Sequence, residues 1–297
     1  MGLSFLTMAQ FRADRLTTGM GERASRDRAN EVLVIGGTGK TGRRVAARLG
    51  ARGVPVRIGS RSETPRFDWN DHETFAPVLD GVRAAYVTYI PDLGFPGAVA
   101  DITRFCRAAV DAGVERLVLL SGRGEEAAQE SERVVQRCGL EWTIVRCSWF
   151  NQNFSENFML EAVLAGEIAL PAGDAVEPFV DADDIADVVV AALTEPGHAG
   201  QVYELSGPRL LGFHDIAAEI SKATGRDVRY VPLSPPQYAA ALRERGMSQH
   251  FVGLFGEVLD GRNAYLTDGV RRALRREPRD FTDFAHDTAA SGVWNAD

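Results

Sequence analysis

Short runs of aliphatic and β-branched residues alternate, through the first half of the chain, with stretches whose apolar positions recur every three or four residues. The first run, Glu31-Val-Leu-Val-Ile35, reads as a buried parallel strand. From Lys40 to Leu49 the apolar positions Val45, Ala46 and Leu49 fall on one helical face. Residues 55–58, 66–68, 84–88, 116–120 and 141–146 read as five further strands. Residues 71–79, 97–112 and 125–138 read as helices between them. Repeated strand–helix units with short connections predict a parallel sheet with helices on both faces. Right-handed crossovers make it doubly wound, with ligands at the carboxyl ends of the strands.

Beyond Trp149 the pattern loosens. It predicts helices over 156–165, 181–193 and 214–224 and short strands at 179–180, 202–205 and 228–233, with a largely helical remainder from Pro235. Asp183 or Asp184 is the expected cap of the second of these helices. The predicted organisation is a nucleotide-binding core over 31–150 and a smaller, mostly helical C-terminal substrate lobe over 151–297. That lobe is interleaved with the remaining sheet strands. Residues 1–30 carry five arginines and little apolar periodicity, so they read as a disordered tail, with Met20 as an alternative start.

The first strand runs into Gly36, Gly39 and Gly42, spaced by three, with Thr38, Lys40 and Thr41 between them. Glycines suit a sharp turn that brings backbone close to a ligand, and the following helix N-terminus attracts a diphosphate. This is a dinucleotide loop opening a Rossmann sheet. Gly39-Lys-Thr41 imitates the end of an ATPase P-loop, but Val34 stands where that motif needs glycine.

A net charge of −8 argues against nucleic acid or an anionic membrane as the main partner, and no apolar run approaches the ~20 residues of a membrane span. Cys106, Cys138 and Cys147 form no CxxC pair. The odd count suits reduced thiols in a cytoplasmic protein, packed as small core residues.

No acidic residue that would bind an adenosine ribose precedes Glu63 at the end of the second strand. Arg61, between Ser60 and Ser62, can hold a 2′-phosphate instead, which favours NADP(H) over NAD; a solvated loop arginine is the plain alternative. Asp68 and Trp69 are placed to border the adenine, unless Trp69 only covers the helix below. The Tyr-x-x-x-Lys pair of short-chain dehydrogenases is absent: the two lysines, Lys40 and Lys222, follow Gly36 and Ala218 by four residues. Hydrolase motifs are missing as well, and the five histidines show no metal-ligand spacing, so no metal is expected.

The glycine loop, the segment from Arg146 to Phe154, the segment from Phe179 to Ala186 and the turn from Tyr203 to Pro208 together resemble the NmrA-like atypical short-chain reductases. Within that family the chain is most similar to the branch of festuclavine and agroclavine dehydrogenases and their bacterial relatives. The resemblance covers residues 31–285 and implies a Rossmann core, an NADP cofactor, and substrates such as cyclic iminium ions, quinones or conjugated carbonyls. It implies that Gly36, Thr38 and Gly39 to Gly42 hold the diphosphate. It further implies that Ser60 and Arg61 take the 2′-phosphate and that Thr88, Tyr89 and Ile90 lie beneath the nicotinamide ribose. Ser121 would close a strand near the nicotinamide, and Trp149, Phe150 and Asn153 would face cofactor and substrate, with Tyr89 shaping the pocket. Cys147, where relatives carry proline, and Tyr89, where they carry proline or small residues, depart from the pattern.

The expected activity is hydride transfer from NADPH to a small, planar, unsaturated molecule. An iminium ion needs no protein acid, in keeping with the missing Tyr–Lys pair. A carbonyl or quinone does need one, and Tyr89 or solvent are the candidates. The rival expectation is a sensor that binds NADP(H) without turnover and regulates a protein partner. An open, aromatic-lined cavity would distinguish the enzyme from a sensor that fills that space.

Overall fold

A computed structural model describes residues 30–156, 159–246, 252–253, 255–256 and 259–295. Apart from Asn30, the tail expected to be disordered lies outside the described residues. The strands in chain order are β1 (Glu31–Ile35), β2 (Val56–Gly59), β3 (Val82–Val87), β4 (Arg116–Gly122), β5 (Glu141–Cys147), β6 (Glu167–Leu170), β7 (Val176–Glu177), β8 (Gln201–Leu205), β9 (Leu211–Gly212) and β10 (Arg229–Pro232). Six of them form one parallel sheet in the order β2-β1-β3-β4-β5-β8. The order reverses beside β1, so a crevice opens at the carboxyl end of β1 and β3.

The helices of the core are α1 (Lys40–Ala51), α2 (Phe75–Leu79), α3 (Ala98–Asp111) and α4 (Glu126–Gln136). They are followed by α5 (Asn153–Glu156), α6 (Leu160–Leu164) and α7 (Ala182–Thr194), then α8 (Phe213–Thr224), α9 (Pro235–Glu244), α10 (Gly269–Leu274) and α11 (Phe281–Ala290). Because strand side chains alternate, β1 feeds both layers. Leu33 and Ile35 join Phe75, Val78 and Phe105 on one face, while Val32 and Val34 join Val45, Leu49 and Val189 on the other. Burial on both faces explains why these strands read as continuous apolar runs. A third core, around Phe154, Phe179, Phe213, Phe281 and Trp294, belongs to the C-terminal half.

Most predicted elements are present with ends moved by one or two residues, and five readings need correction. Residues 66–68 do not join the sheet; Asp68 makes a single bridge to Asp71. There the Asp68 carboxylate accepts the Asn70 N–H, and Thr74 Oγ1 donates to Asp71 O, closing the segment on itself. The predicted helix over 71–79 is consequently a 3₁₀ turn at His72–Thr74 leading into the short α2. The cap of α7 is Asp181, which has extended backbone and accepts from Asp183 N–H, whereas Asp184 is buried against Arg276 and Arg279. The helix predicted over 156–165 is divided into α5 and α6, and residues 179–180 make only the bridge Phe150–Val180.

The C-terminal half also holds two small sheets: the predicted strand at 228–233 is present as β10, paired in parallel with an unpredicted β6, and two further unpredicted strands make the antiparallel β7–β9. At two residues each, β7 and β9 carry too little alternation to register. Cys106 and Cys147 are buried as expected, but Cys138 is only partly so. Its thiol lies below the usual range, drawn down by a hydrogen bond from Cys106.

Candidate active site

Two clefts flank the glycine loop at the carboxyl edge of the sheet. Gly36 turns the chain at φ 68°, a conformation that disfavours any side chain, and a Cβ there would meet Thr88 Oγ1 at 2.5 Å. The Thr88 hydroxyl itself donates to Ile35 O, tying β3 to β1 at the crevice. Gly39 caps α1 with no side-chain hydrogen bond, and the first turn of α1 contains no acidic residue. No acidic side chain of that turn competes for its free N–H groups, which suits a diphosphate. Of the loop threonines, Thr38 is exposed, but Thr41 is buried and accepts the Tyr86 hydroxyl at 2.9 Å. The Thr41 side chain is thus part of the core, and only its backbone is available to a nucleotide.

The first cleft, of about 180 Å³, is lined by Gly36, Thr38, Ser60, Arg61, Asp68, Trp69 and Ile90. Arg61 is exposed at its mouth, Ser60 Oγ lies 3.1 Å from Ser62 Oγ, and Asp68 is paired with Arg66 at 2.6 Å. Trp69 stands both at a cleft wall and in the core. It borders the cleft, yet it is buried against Phe67, Phe75 and Phe105, with its indole N–H donating to Thr88 O at 3.1 Å.

The second cleft, of about 280 Å³, is lined by Lys40, Tyr89, Leu120, Ser121, Arg123, Glu125, Ser148, Trp149, Phe150, Asn153 and Asn263, among others. Lys40 Nζ donates to Asn153 Oδ1 at 2.6 Å. Arg43 and Arg44 both pair with Glu156, clamping α1 to α5 and holding this contact in place. Burial lowers the Lys40 ammonium to about 8, with Glu156 opposing the shift and Arg43 and Arg44 adding to it. Lys40 thus stands in the second cleft as well as in the loop.

Two sequence assignments change here. The Tyr89 hydroxyl donates to Asp101 Oδ2 at 2.8 Å, and burial together with that carboxylate pushes it up to about 12. Its proton is held away from the cleft, so Tyr89 contributes a ring wall and is a poor acid. Ser121 Oγ donates to the buried Glu132 at 2.6 Å and is likewise committed. Trp149 lies between cleft and lobe core, with its ring edge-on to Phe213 and Phe179, while Phe150 packs on the sheet. Phe154 is fully buried in the lobe core.

The sequence reading missed Arg123 and Asn263. Arg123 is almost wholly buried, donates to Ser148 Oγ at 2.6 Å and stacks on Tyr265 at 4.4 Å. Its setting, Gly122-Arg-Gly124 at a strand end, was the available signal. Asn263, which donates to Arg123 O at 3.2 Å, arrives from a distant loop and had none.

An agroclavine dehydrogenase from Claviceps fusiformis is 31% identical over 285 residues, covering 89% of this chain and 98% of that one. An NAD(P)H azoreductase from Xenophilus azovorans is 31% identical over 288 residues, 88% of this chain and 98% of its own. Among solved structures, an NADPH-dependent quinone oxidoreductase from Escherichia coli complexed with NADPH superposes with a TM-score of 0.68. It is 21% identical and covers 86% of this chain and 99% of its own, a likeness of fold. With a family profile that matches residues 28–284, from the first strand of the sheet to the last helix of the lobe, this chain belongs to the NmrA-like family.

Proposed function

We propose that this chain is an NADPH-dependent oxidoreductase acting on a small unsaturated organic molecule, a quinone, conjugated carbonyl or cyclic imine. The observation that carries the reading is the second cleft. It is an open cavity of about 280 Å³ walled by Tyr89, Trp149 and Phe150, directly beside the glycine loop. A sensor has no need of such space, and the relatives named as a clavine dehydrogenase and an azoreductase support turnover.

The residues present fit the dinucleotide. The uncapped first turn of α1 receives the diphosphate, and the two clefts on either side of the loop suit its two halves. When bound, NADPH supplies a hydride at its nicotinamide ring. The chain's part is to hold a planar acceptor against that ring between Trp149, Phe150 and Tyr89 and to exclude water. Among the described residues no helix is long and apolar enough to cross a membrane. The test is NADPH oxidation against imines, quinones and enones. Tight NADPH binding without turnover on any class would overturn the enzyme reading in favour of the sensor.

The choice of NADPH over NADH is assigned to Arg61. Arg61→Ala should weaken NADPH binding by about 1.5–3 kcal/mol, the range for hydrogen bonds to a charged group, while NADH binding stays nearly unchanged. Equal losses for the two cofactors in calorimetry would remove Arg61 from that role.

A further inference from the structure

Reduction of a carbonyl or quinone requires a proton at oxygen, and the second cleft offers few groups able to give one. Tyr89 donates to Asp101, and Ser121 donates to Glu132. Ser148 is anchored by Arg123, and an alcohol is too weak an acid to release its proton without a base beside it. The buried Cys147 thiol is pushed up by desolvation, and the Arg123 guanidinium is engaged by Ser148 and Tyr265. Lys40 differs from all of these. Its single hydrogen bond among the described residues, to Asn153, engages one of three ammonium protons, and the ammonium borders the cavity.

We propose that Lys40 is the general acid of this enzyme: its ammonium, positioned by Asn153, protonates the oxygen of a carbonyl or quinone held in the second cleft. The proposal rests on the reductase reading above and commits it to oxygen-bearing acceptors. When the acceptor carbon gains hydride, a new C–H bond forms, and the electron pair of the C=O or conjugated π system moves onto oxygen. That oxygen forms an O–H bond with the proton released by Lys40 Nζ. The acceptor is reduced by two electrons and NADPH is oxidised by two. The neutral amine regains its proton from water through the mouth of the cleft.

The groups that face this ammonium are Arg43 and Arg44 on α1, Glu156 and Asn153 on α5, and Tyr89, Asp92, Arg123 and Glu125 around the cavity. Burial leaves the ammonium able to yield a proton near neutral pH, whereas a solvated lysine would hold it. Lys40 thus does the work for which ordinary short-chain reductases use tyrosine, from a position inside the nucleotide loop.

The chain has two lysines, so protein containing ¹³C-lysine gives two Cε signals. In the free enzyme the Lys40 signal, assigned by its loss in Lys40→Arg, should titrate near 8. At saturating NADPH the kcat/KM for a quinone should fall as pH rises through the Lys40 midpoint of the NADPH-bound enzyme, because the neutral amine has no acidic proton to give. Lys40→Arg keeps the charge but cannot donate. It should retain NADPH affinity, lose ~10²–10³-fold in quinone kcat and lose the high-pH limb. Lys40→Met should lose the same factor in kcat and NADPH affinity as well. Wild-type quinone turnover in Lys40→Arg, or a Lys40 signal that shows no titration below pH 10, would overturn the proposal while leaving the reductase reading intact. A wild-type enzyme that reduces imines but no oxygen-bearing acceptor would overturn this proposal alone, and one that turns over no acceptor of any class would overturn both.

Discussion

Gly42→Ala is expected to weaken NADPH binding by ~10²-fold or more and to lower the thermal stability of the protein. A Cβ at Gly42 would lie 2.1 Å from Gly36 O, 2.6 Å from Gly36 C and 2.9 Å from Gly37 Cα. All three are backbone atoms, so no side chain can rotate aside, and the first turn of α1 must move away from the loop. Alanine is the better helix former by about 1 kcal/mol, but overpacking against backbone costs about 1–3 kcal/mol or more, so the clash decides the sign. The displaced turn is the one proposed to hold the diphosphate. Losing one charge-assisted hydrogen bond costs about 1.5–3 kcal/mol, and each 1.4 kcal/mol is about a factor of ten in affinity. Gly50→Ala provides the control on the same helix. A Cβ there meets nothing within 4 Å, and the substitution should be neutral or stabilise by up to about 1 kcal/mol. Calorimetric NADPH binding and thermal unfolding of both variants check the pair. Equal behaviour would show that close approach of the loop to α1 does not matter.

Glu132→Ala should be the most destabilising of these substitutions, at about 3–5 kcal/mol. Glu132 lies on α4, almost without exposure, and accepts from Arg146 Nε at 2.9 Å as well as from Ser121 Oγ at 2.6 Å. Removing the carboxylate leaves the half-buried Arg146 with Glu204 alone and leaves Ser121 without its acceptor. The cost arises from an uncompensated buried charge, not from the worth of the pair itself. Replacing Glu132 and Arg146 together by methionine should therefore recover more than half of the loss in urea denaturation. If the double variant is as unstable as the single one, packing rather than charge is the cause. Because Ser121 lies at the rim of the second cleft, Glu132→Ala should also raise KM for the acceptor.

The nucleotide-binding half was legible because its signals are local. Strand β1, the three glycines and the apolar face of α1 occupy adjacent residues, and each reports its own geometry through spacing. The absence of a Tyr-x-x-x-Lys pair was equally plain from two lysine positions. The short strands β7 and β9 were not legible, since two residues carry no periodicity. Nor was the self-closed segment from Asp68 to Thr74, where side-chain hydrogen bonds to backbone outcompete sheet pairing.

At the site the division runs by distance along the chain. Sequence alone determined which residues form the loop and that Arg61, rather than an acid, follows the second strand. The fates of the polar side chains were decided only by folding. Tyr89 meets Asp101 from α3, Ser121 meets Glu132 from α4, and Lys40 meets Asn153 across more than a hundred residues. A hydroxyl or ammonium has the same formula wherever it stands. Whether its proton is spent on a neighbour or left for a substrate depends on which acceptor the packing of helices on the sheet brings within 3 Å, and on how much water that packing removes.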